Sequence, residues 1–196
     1  LTDRVRGILN IVQKPPSGFM NKLQTLGDLA GLARTQPRTV TKGPCQDIVL
    51  LGDEADLNML PALKCWPLDA GRYITLPLVI TRDPITGRRN VGTYRMQIFD
   101  SQTAGMHWQT HKVGAQHYRT GENKGQKKIE VAVALGGDPA TIWTGALPLP
   151  PDMDEISVSG VIRGKPVDMV ACQTIDLEVP AHSEYILEGY VVPGEL

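Results

Sequence analysis

The chain has 196 residues, of which 41% are hydrophobic and 21% charged, values typical of one globular domain with or without an extension. Its 15 prolines and 20 glycines argue against a helical bundle, and its 5% aromatic content predicts an aliphatic core. No apolar run approaches the roughly 18 residues that a membrane helix needs. No secretory signal is recognisable among the first residues, so we expect a cytoplasmic location.

The distribution of charge predicts no nucleic-acid partner. Residues 1–43 hold seven Lys or Arg and two Asp, net +5, and residues 44–196 carry net −6. The basic residues stand singly, without interleaved aromatic residues, so we expect a solvated segment that faces acidic parts of the same assembly.

The three cysteines, Cys45, Cys65 and Cys172, lack zinc spacing and predict reduced thiols, with a disulfide or a zinc site as the lesser alternatives.

The first 43 residues form a lead segment that we separate from a central domain over residues 44–196. The stretch NKLQTLGDLAGLA places Leu23, Leu26, Leu29 and Leu32 at a spacing of three, which predicts a short amphipathic helix. TQPRTVTKGP then predicts an extended linker.

The middle of the chain is predicted to begin with a hairpin, and Pro77 suggests an edge or a bulge in its first strand. In chain order we expect a helix in EADLNMLPAL, a strand in ITLPLVITRD, a turn in DPITGRRN, a returning strand in VGTYRMQIFD, a third strand in GMHWQTH, and a helix in HKVGAQHYRTG that Gly121 closes.

The last third alternates strands and short helices. KKIEVAVALGG has the period-two apolar pattern of a strand, and DPATIWTGAL predicts a helix with Asp138 as N-cap and Pro139 at its first position. DMDEISVSGVIRG is predicted to be partly helical, and PVDMVAC and SEYILEGYVV are predicted strands. This order indicates an α+β fold with a Greek-key or split β-barrel, not a doubly wound sheet.

Single motifs leave the chemistry open. His107 and His111 have helical spacing in a segment of strand-like composition, and the glycines of ALGGDP could meet an anion or only make a tight turn. The carboxylates weighed as candidates are otherwise explained as surface or helix-dipole groups: Glu155, Asp176, Glu178, Glu184 and Glu188.

The order of five blocks is more specific than any one of them. NVGTYRMQ, HWQTHK followed by GAQHYR, EVAVALGGDPA, LPLPPDMDE, and CQTIDLEVPAHSEYILEGYV resemble the central region of the UbiD family. That family comprises decarboxylases of aromatic and α,β-unsaturated acids that use prenylated FMN, and its central domain is a flavin-binding split β-barrel. The resemblance covers residues 40–196 well and the lead segment loosely.

The resemblance implies a role for individual residues. Asn90, His111 and Glu155 match the family's ligands to a divalent metal, usually Mn²⁺, which bridges to the flavin phosphate. Arg95 matches the arginine of the catalytic Arg-Glu-Glu network. A second, K⁺ site is implied at the backbone of Val91, Thr144, Gly145 and Leu147. The residues that fall where the family lines its flavin are Val91, Thr93, Tyr94, Arg95, Thr110, Gly145, Ala146 and Leu147. At Thr110 the family often has another polar residue.

The chain departs from the family pattern after VVPGEL. The family's P-E-G-P-F-G-E stretch, which carries both catalytic glutamates, follows the equivalent of LEGYV closely and is not in this sequence. We therefore interpret the chain as a central-domain fragment, without the C-terminal α/β domain and part of the N-terminal one, and expect it to be inactive alone. The intact protein is expected to be a homo-oligomeric carboxy-lyase supplied with cofactor by a flavin prenyltransferase.

Two alternatives and one geometric question remain. The substrate is predicted to be a 4-hydroxy-3-polyprenylbenzoate-type acid of ubiquinone biosynthesis, but a domain that binds only FMN and metal, or a structural piece of a complex, would share much of this sequence. In a regular strand Asn90 and Arg95 would face opposite sides. One cofactor can meet both only if Asn90 precedes the strand or Gly92 marks a bulge, and we predict one of these.

Overall fold

The computed structural model describes residues 33–150 and 153–194, and the predicted leucine-rich helix of the lead segment lies outside these ranges. Within them the strands are β1 Arg38–Val40, β2 Arg72–Ile74, β3 Leu78–Arg82, β4 Arg89–Thr93, β5 Met96–Ile98, β6 Ala104–Met106, β7 Ile129–Leu135, β8 Asp168–Ala171, β9 Glu178–Pro180 and β10 Tyr185–Val191. The helices are α1 Val113–Asn123, α2 Pro139–Thr144 and α3 Glu155–Arg163.

The described strands form three sheets. A four-stranded antiparallel sheet has the order β10-β7-β3-β4, and two three-stranded sheets have the orders β1-β8-β9 and β2-β5-β6. The α+β class is therefore confirmed, whereas the split β-barrel stays a prediction. None of the described helices has the length and hydropathy of a membrane span.

The four-stranded sheet lies between two apolar clusters because its strands are apolar on both faces. Leu78, Ile80 and Ala132 pack on one side with Ile156 of α3 and Met169 of β8. On the other side Val79, Val131 and Val133 pack with residues of β2 and β5 such as Ile74 and Met96. The sheet thus forms the centre of the domain, and β4 is one of its two edges.

Local sequence explains the β3–β4 hairpin and the starts of α2 and α3. In the hairpin turn the Asp83 carboxylate accepts hydrogen bonds from the backbone N–H groups of Ile85 and Thr86, and Gly87 adopts φ of 70°. Asp138 caps α2 by accepting from the Ala140 N–H at 2.9 Å, as predicted. Asp154 caps α3 in the same way through the Ser157 N–H at 2.9 Å.

Several predicted elements are shorter or end elsewhere. EADLNMLPAL contains the 3₁₀ turn Leu57–Met59 rather than an α-helix, and the predicted linker contains β1, which pairs with β8 in parallel. The third strand ends at Met106. Gly121 does not close α1 but lies inside it, where a side chain would collide with Ile129; the left-handed residue after the helix is Gly125.

All three cysteines are free thiols. Cys65 is exposed, and Cys45 and Cys172 are half-buried against the core cluster of α3 and β8. Burial, together with the charge of Glu188, raises the pKa of Cys172 to about 12. Cys172 is therefore protonated and unreactive at neutral pH.

Candidate functional site

The free edge of β4 is covered by backbone and side-chain groups from α2 and α3. The Val91 N–H donates to Glu155 Oε2 at 3.1 Å, and the Thr93 N–H donates to the Gly145 carbonyl at 3.0 Å. Glu155 is the first residue of α3, and Gly145 follows the last residue of α2. The fold therefore brings Val91, Thr93, Gly145 and Glu155 together at one sheet edge.

Asn90 belongs to the same edge and holds an unpaired polar group. The residue is 6% exposed, and within the described part of the chain Nδ2 has no hydrogen-bond partner. Thr93 Oγ1 is likewise buried without a partner there. A buried polar group without a partner costs about 1–3 kcal/mol, so two of them on one strand favour binding of an external polar group.

Glu155 is the carboxylate of the site. Burial raises its pKa, the Val91 N–H opposes this effect, and the negative charge of Asp154 adds to it. The carboxylate is thus held beside the Asn90–Val91 peptide in a place where its charge is incompletely compensated. A bound cation would supply that compensation.

Gly145 has no room for a side chain. A Cβ at this position would overlap Leu78 Cδ2 and lie 3.3 Å from Thr93 Oγ1. The next two residues continue α2 as a tighter, 3₁₀-type turn, with the Ala146 N–H bonded to the Trp143 carbonyl and the Leu147 N–H bonded to the Thr144 carbonyl, both at 3.1 Å. Ala146 is exposed, and Leu147 is half-buried.

His111 and Thr110 are not joined to this edge. Both are exposed and precede α1 in a segment that is not helical, so His107 and His111 do not share a helix face. Among the described residues, His111 forms no hydrogen bond or ion pair with Asn90 or Glu155. In residues 33–150 and 153–194, no three His, Cys, Asp or Glu side chains gather closely enough to hold a metal by themselves.

The predicted explanation for the Asn90–Arg95 spacing is wrong. Asn90 lies inside β4, opposite Thr81, and Gly92 keeps regular register with Val79, so neither the turn nor the bulge occurs. Instead the strand stops at Thr93, and β5 joins another sheet from Met96 onward. The chain changes sheets at Tyr94 and Arg95, which breaks the alternation.

Tyr94 and Arg95 point to different environments at this break. Tyr94 is buried over Gly92, its ring edge-to-face with Trp108, and its hydroxyl accepts from the Gly114 N–H at 3.3 Å. Arg95 is exposed, and its guanidinium carbon lies 4.2 Å from the centroid of the Tyr73 ring. Tyr94 is therefore part of the core, whereas the charge of Arg95 is accessible from outside the domain.

Three of the other carboxylates weighed as candidates, Asp176, Glu178 and Glu188, have structural partners. Asp176 pairs with Arg82 at 2.8 Å, and Glu178 accepts from Thr39 Oγ1 at 2.8 Å. Glu188 accepts from the N–H groups of Gln173 and Thr174, and Glu184 directly precedes β10, where its N–H donates to the Leu135 carbonyl. In ALGGDP the Asp138 carboxylate itself occupies the start of α2, as a turn and cap would require.

Two interactions near the site were not predicted from the sequence. Thr81 Oγ1 shares a buried hydrogen bond of 2.9 Å with His117 Nδ1 from α1, and Arg89 forms a two-bond ion pair with Asp154. The partners are 36 and 65 residues apart. For the ion pair, the one signal in the sequence is that Arg89 and Asp154 each stand directly before a predicted metal ligand.

His117 gives the fold a testable pH dependence. Burial lowers its pKa, and the nearby charge of Asp83 only partly opposes this. The unfolded chain therefore takes up a proton as the pH falls below the ordinary value of about 6.5, before the folded chain does, so stability is lost in that range. We expect the urea concentration at the unfolding midpoint to decrease as the pH is lowered from 7.5 to 5.5, and we expect His117→Gln to make that decrease smaller. The control variant His107→Gln, which changes an exposed histidine, should keep the wild-type dependence of the midpoint on pH. The same dependence in His117→Gln would show that His117 is not its source.

Comparison with known proteins identifies the family of this chain. Residues 38–196 match the family described as UbiD, 3-octaprenyl-4-hydroxybenzoate carboxy-lyase Rift-related domain. An uncharacterized protein of Archaeoglobus fulgidus is 48% identical over 189 residues, which are 96% of this chain and 38% of that protein. The chain thus spans less than two fifths of that relative's length.

Two solved structures have a similar fold. The UbiD-class enzyme HmfF from Pelotomaculum thermopropionicum, in an evolved dimeric form in complex with prFMN, is 30% identical with a TM-score of 0.76 over 86% of this chain and 40% of its own. The closed form of vanillic acid decarboxylase from Sedimentibacter hydroxybenzoicus is 26% identical with a TM-score of 0.77, over 91% of this chain and 39% of its own. Sequence and fold agree, and the chain belongs to the UbiD family.

Proposed function

We propose that the protein to which this chain belongs is a non-oxidative decarboxylase of aromatic or α,β-unsaturated acids that uses prenylated FMN. The observation that carries the proposal is the family match over residues 38–196, because it includes the β4 edge with its unpaired Asn90 amide and its half-buried Glu155. Our preferred substrate class is a 4-hydroxy-3-polyprenylbenzoate-type acid, in ubiquinone biosynthesis in the cytoplasm. The assembly would be a homo-oligomer, with a flavin prenyltransferase as the source of its cofactor.

The β4 edge has the donor chemistry for a hard divalent cation. Asn90 and Glu155 supply amide and carboxylate oxygens, and His111 would supply a neutral imidazole, a set suited to Mn²⁺. The half-buried Glu155 carboxylate with its raised pKa fits a bound cation, which would lower that pKa, whereas the unpaired Asn90 Nδ2 is a donor that would suit an acceptor such as the flavin phosphate. Backbone carbonyls of Val91, Thr144, Gly145 and Leu147 would hold K⁺ beside it.

The flavin would lie along the same edge. Thr93 has an unpaired buried hydroxyl, Gly145 packs directly against Leu78 beside it, and Ala146 and Leu147 continue this surface. The backbone of Val91, Tyr94 and Arg95 and the Thr110 side chain are the remaining proposed contacts. When bound, prenylated FMN supplies the electron sink for the charge that decarboxylation leaves. The exposed Arg95 guanidinium would hold the substrate carboxylate over it.

Release of CO₂ tests the proposed activity. The complete protein, loaded with prenylated FMN and Mn²⁺, is expected to release CO₂ from a 4-hydroxy-3-polyprenylbenzoate, and Arg95→Ala is expected to lower kcat/KM at least about 100-fold because an anchoring charge is lost. The exposed Arg119→Ala on α1 is the matched control. Turnover of vanillate or cinnamate instead would revise the substrate class; no turnover of any such acid would contradict the activity.

A second function follows from where the proposed ligands lie. Every proposed metal and flavin contact belongs to the described part of this chain, so the domain could bind FMN and metal without decarboxylating anything. The 196-residue chain, mixed with cofactor and metal, is expected to retain flavin absorbance without releasing CO₂. Turnover at the rate of the complete protein would contradict the predicted inactivity of this segment.

A further inference from the structure

The ion pair between Arg89 and Asp154 ties β4 to α3. Arg89 Nε donates to Asp154 Oδ1 and Arg89 Nη2 donates to Oδ2, each at 3.0 Å, in the paired geometry that an arginine and a carboxylate favour. The two side chains are 22% and 28% exposed. A pair that is both bidentate and largely screened from water holds its partners in one orientation, unlike an exposed surface pair.

Each member of this pair directly precedes a proposed metal ligand. Arg89 is followed by Asn90 in β4, and Asp154 is followed by Glu155 in α3. Asp154 also caps α3 through Ser157, whose N–H and hydroxyl donate to Asp154 Oδ2 at 2.9 and 2.7 Å. One carboxylate therefore fixes both the start of α3 and its distance from β4.

We infer that Arg89 and Asp154 are positioning residues for the metal site, holding Asn90 and Glu155 at the spacing that one cation requires. This inference rests on the proposed function, since it concerns the same Mn²⁺ site. Neither side chain binds the metal in this proposal, because both oxygens of Asp154 accept hydrogen bonds from Arg89 and because Arg89 is itself a cation.

The surroundings of the pair support a positioning role. Glu178 Oε2 lies 3.8 Å from Arg89 Nη1, so Arg89 is held from a second strand, β9. Both oxygens of Asp154 are occupied by Arg89 and Ser157 donors, so the carboxylate is fixed from β4 and from α3 at once.

Charge alone and positioning predict opposite results for one variant. Removing the positive charge of Arg89 near a cation site would strengthen Mn²⁺ binding if only long-range charge mattered. Loss of positioning would weaken it, because Glu155 and Asn90 would no longer converge. For Asp154→Asn both effects weaken binding, so Arg89→Met is the decisive substitution.

The test measures Mn²⁺ affinity of the 196-residue chain in the presence of FMN, from the electron paramagnetic resonance signal of free Mn²⁺. We expect Arg89→Met and Asp154→Asn each to raise the Kd about 10-fold, as for other residues that orient metal ligands. The double variant should be no worse than either single one, because both remove the same contact. Because Asn is itself a good N-cap, Asp154→Asn removes the ion pair and keeps the cap of α3.

Arg82→Met is the matched control. Arg82 lies opposite Arg89 in the same hairpin and forms an ion pair of 2.8 Å with Asp176, but that pair has an exposed partner and adjoins no proposed ligand. Its Kd should stay within about twofold of wild type. Thermal melts without metal show whether each variant is folded, and Arg89→Lys, which keeps one charged contact, should recover part of the affinity.

The outcomes are distinguishable. Arg89→Met with wild-type or tighter Mn²⁺ binding would overturn the positioning role while leaving the metal site intact, as would strictly additive effects in the double variant. If the wild-type chain with FMN does not bind Mn²⁺ at all, the proposed metal site is wrong, and the positioning role is wrong with it.

Discussion

Replacing Asn90 by alanine is expected to lower the affinity for Mn²⁺, measured with FMN present, at least about 100-fold. This is the upper end of the loss seen when only the outer partners of a metal site are removed, and Asn90 is a proposed direct ligand. The same substitution should change the free energy of unfolding without metal by no more than about 1 kcal/mol. The buried amide nitrogen already lacks a partner, so its removal offsets the lost packing.

Two controls separate ligation from general damage. Asn90→Asp keeps an oxygen ligand at the same position and is expected to bind Mn²⁺ within about tenfold of wild type. Asn58→Ala removes an exposed asparagine that accepts a hydrogen bond from Arg72 and should leave Mn²⁺ binding unchanged. Flavin absorbance retained after gel filtration provides the second readout. Equal retention of Mn²⁺ and FMN by wild type and Asn90→Ala would contradict the role of Asn90.

Ile156→Ala is expected to lower the free energy of unfolding by about 2–5 kcal/mol, the cost of truncating a fully buried isoleucine. Ile156 is 0% exposed and lies in the cluster that joins α3 to the central sheet. Because total stability of a domain is about 5–15 kcal/mol, this one substitution removes a large fraction of it. Urea denaturation followed by circular dichroism measures the change.

The position of Ile156 links stability to the site. It directly follows Glu155, so a loosened α3 should also weaken the contact of the Glu155 carboxylate with the Val91 N–H. Hydrogen exchange of that amide is expected to accelerate more in Ile156→Ala than in Ile48→Ala. Ile48 is 80% exposed, and its truncation should cost less than about 0.5 kcal/mol. A loss below about 1 kcal/mol for Ile156→Ala would show that the cluster does not anchor α3.

Local patterns in the sequence identified much of the secondary structure. The alternation of Ile129 to Leu135 predicted β7, and Asp138 with Pro139 predicted the start of α2, because strand pleat and helix capping depend on neighbouring residues alone. The end of α1 was misplaced at Gly121. A buried glycine packed on Ile129 and a capping glycine look alike until the packing is known.

The stretch RNVGTYRMQIF shows where local reasoning fails. Its β-branched and aromatic residues predicted one strand, and the five-residue spacing of Asn90 and Arg95 required a break in the alternation. Both proposed breaks were wrong, because β4 ends at Thr93 and β5 pairs in a different sheet. Which sheet a strand joins depends on partners such as β2 and β6, which no short window contains.

By itself, the sequence determined the α+β class, the strands of the central sheet and the family resemblance, since these follow from apolar periodicity, capping and the order of five blocks. Only the tertiary structure decided that Glu155 meets the Val91 N–H, 64 residues away, that Asn90 keeps an unpaired amide, and that Arg89 pairs with Asp154. The physical reason is distance along the chain. A hydrogen bond or ion pair across two elements forms only after the shared core has placed α3 against β4.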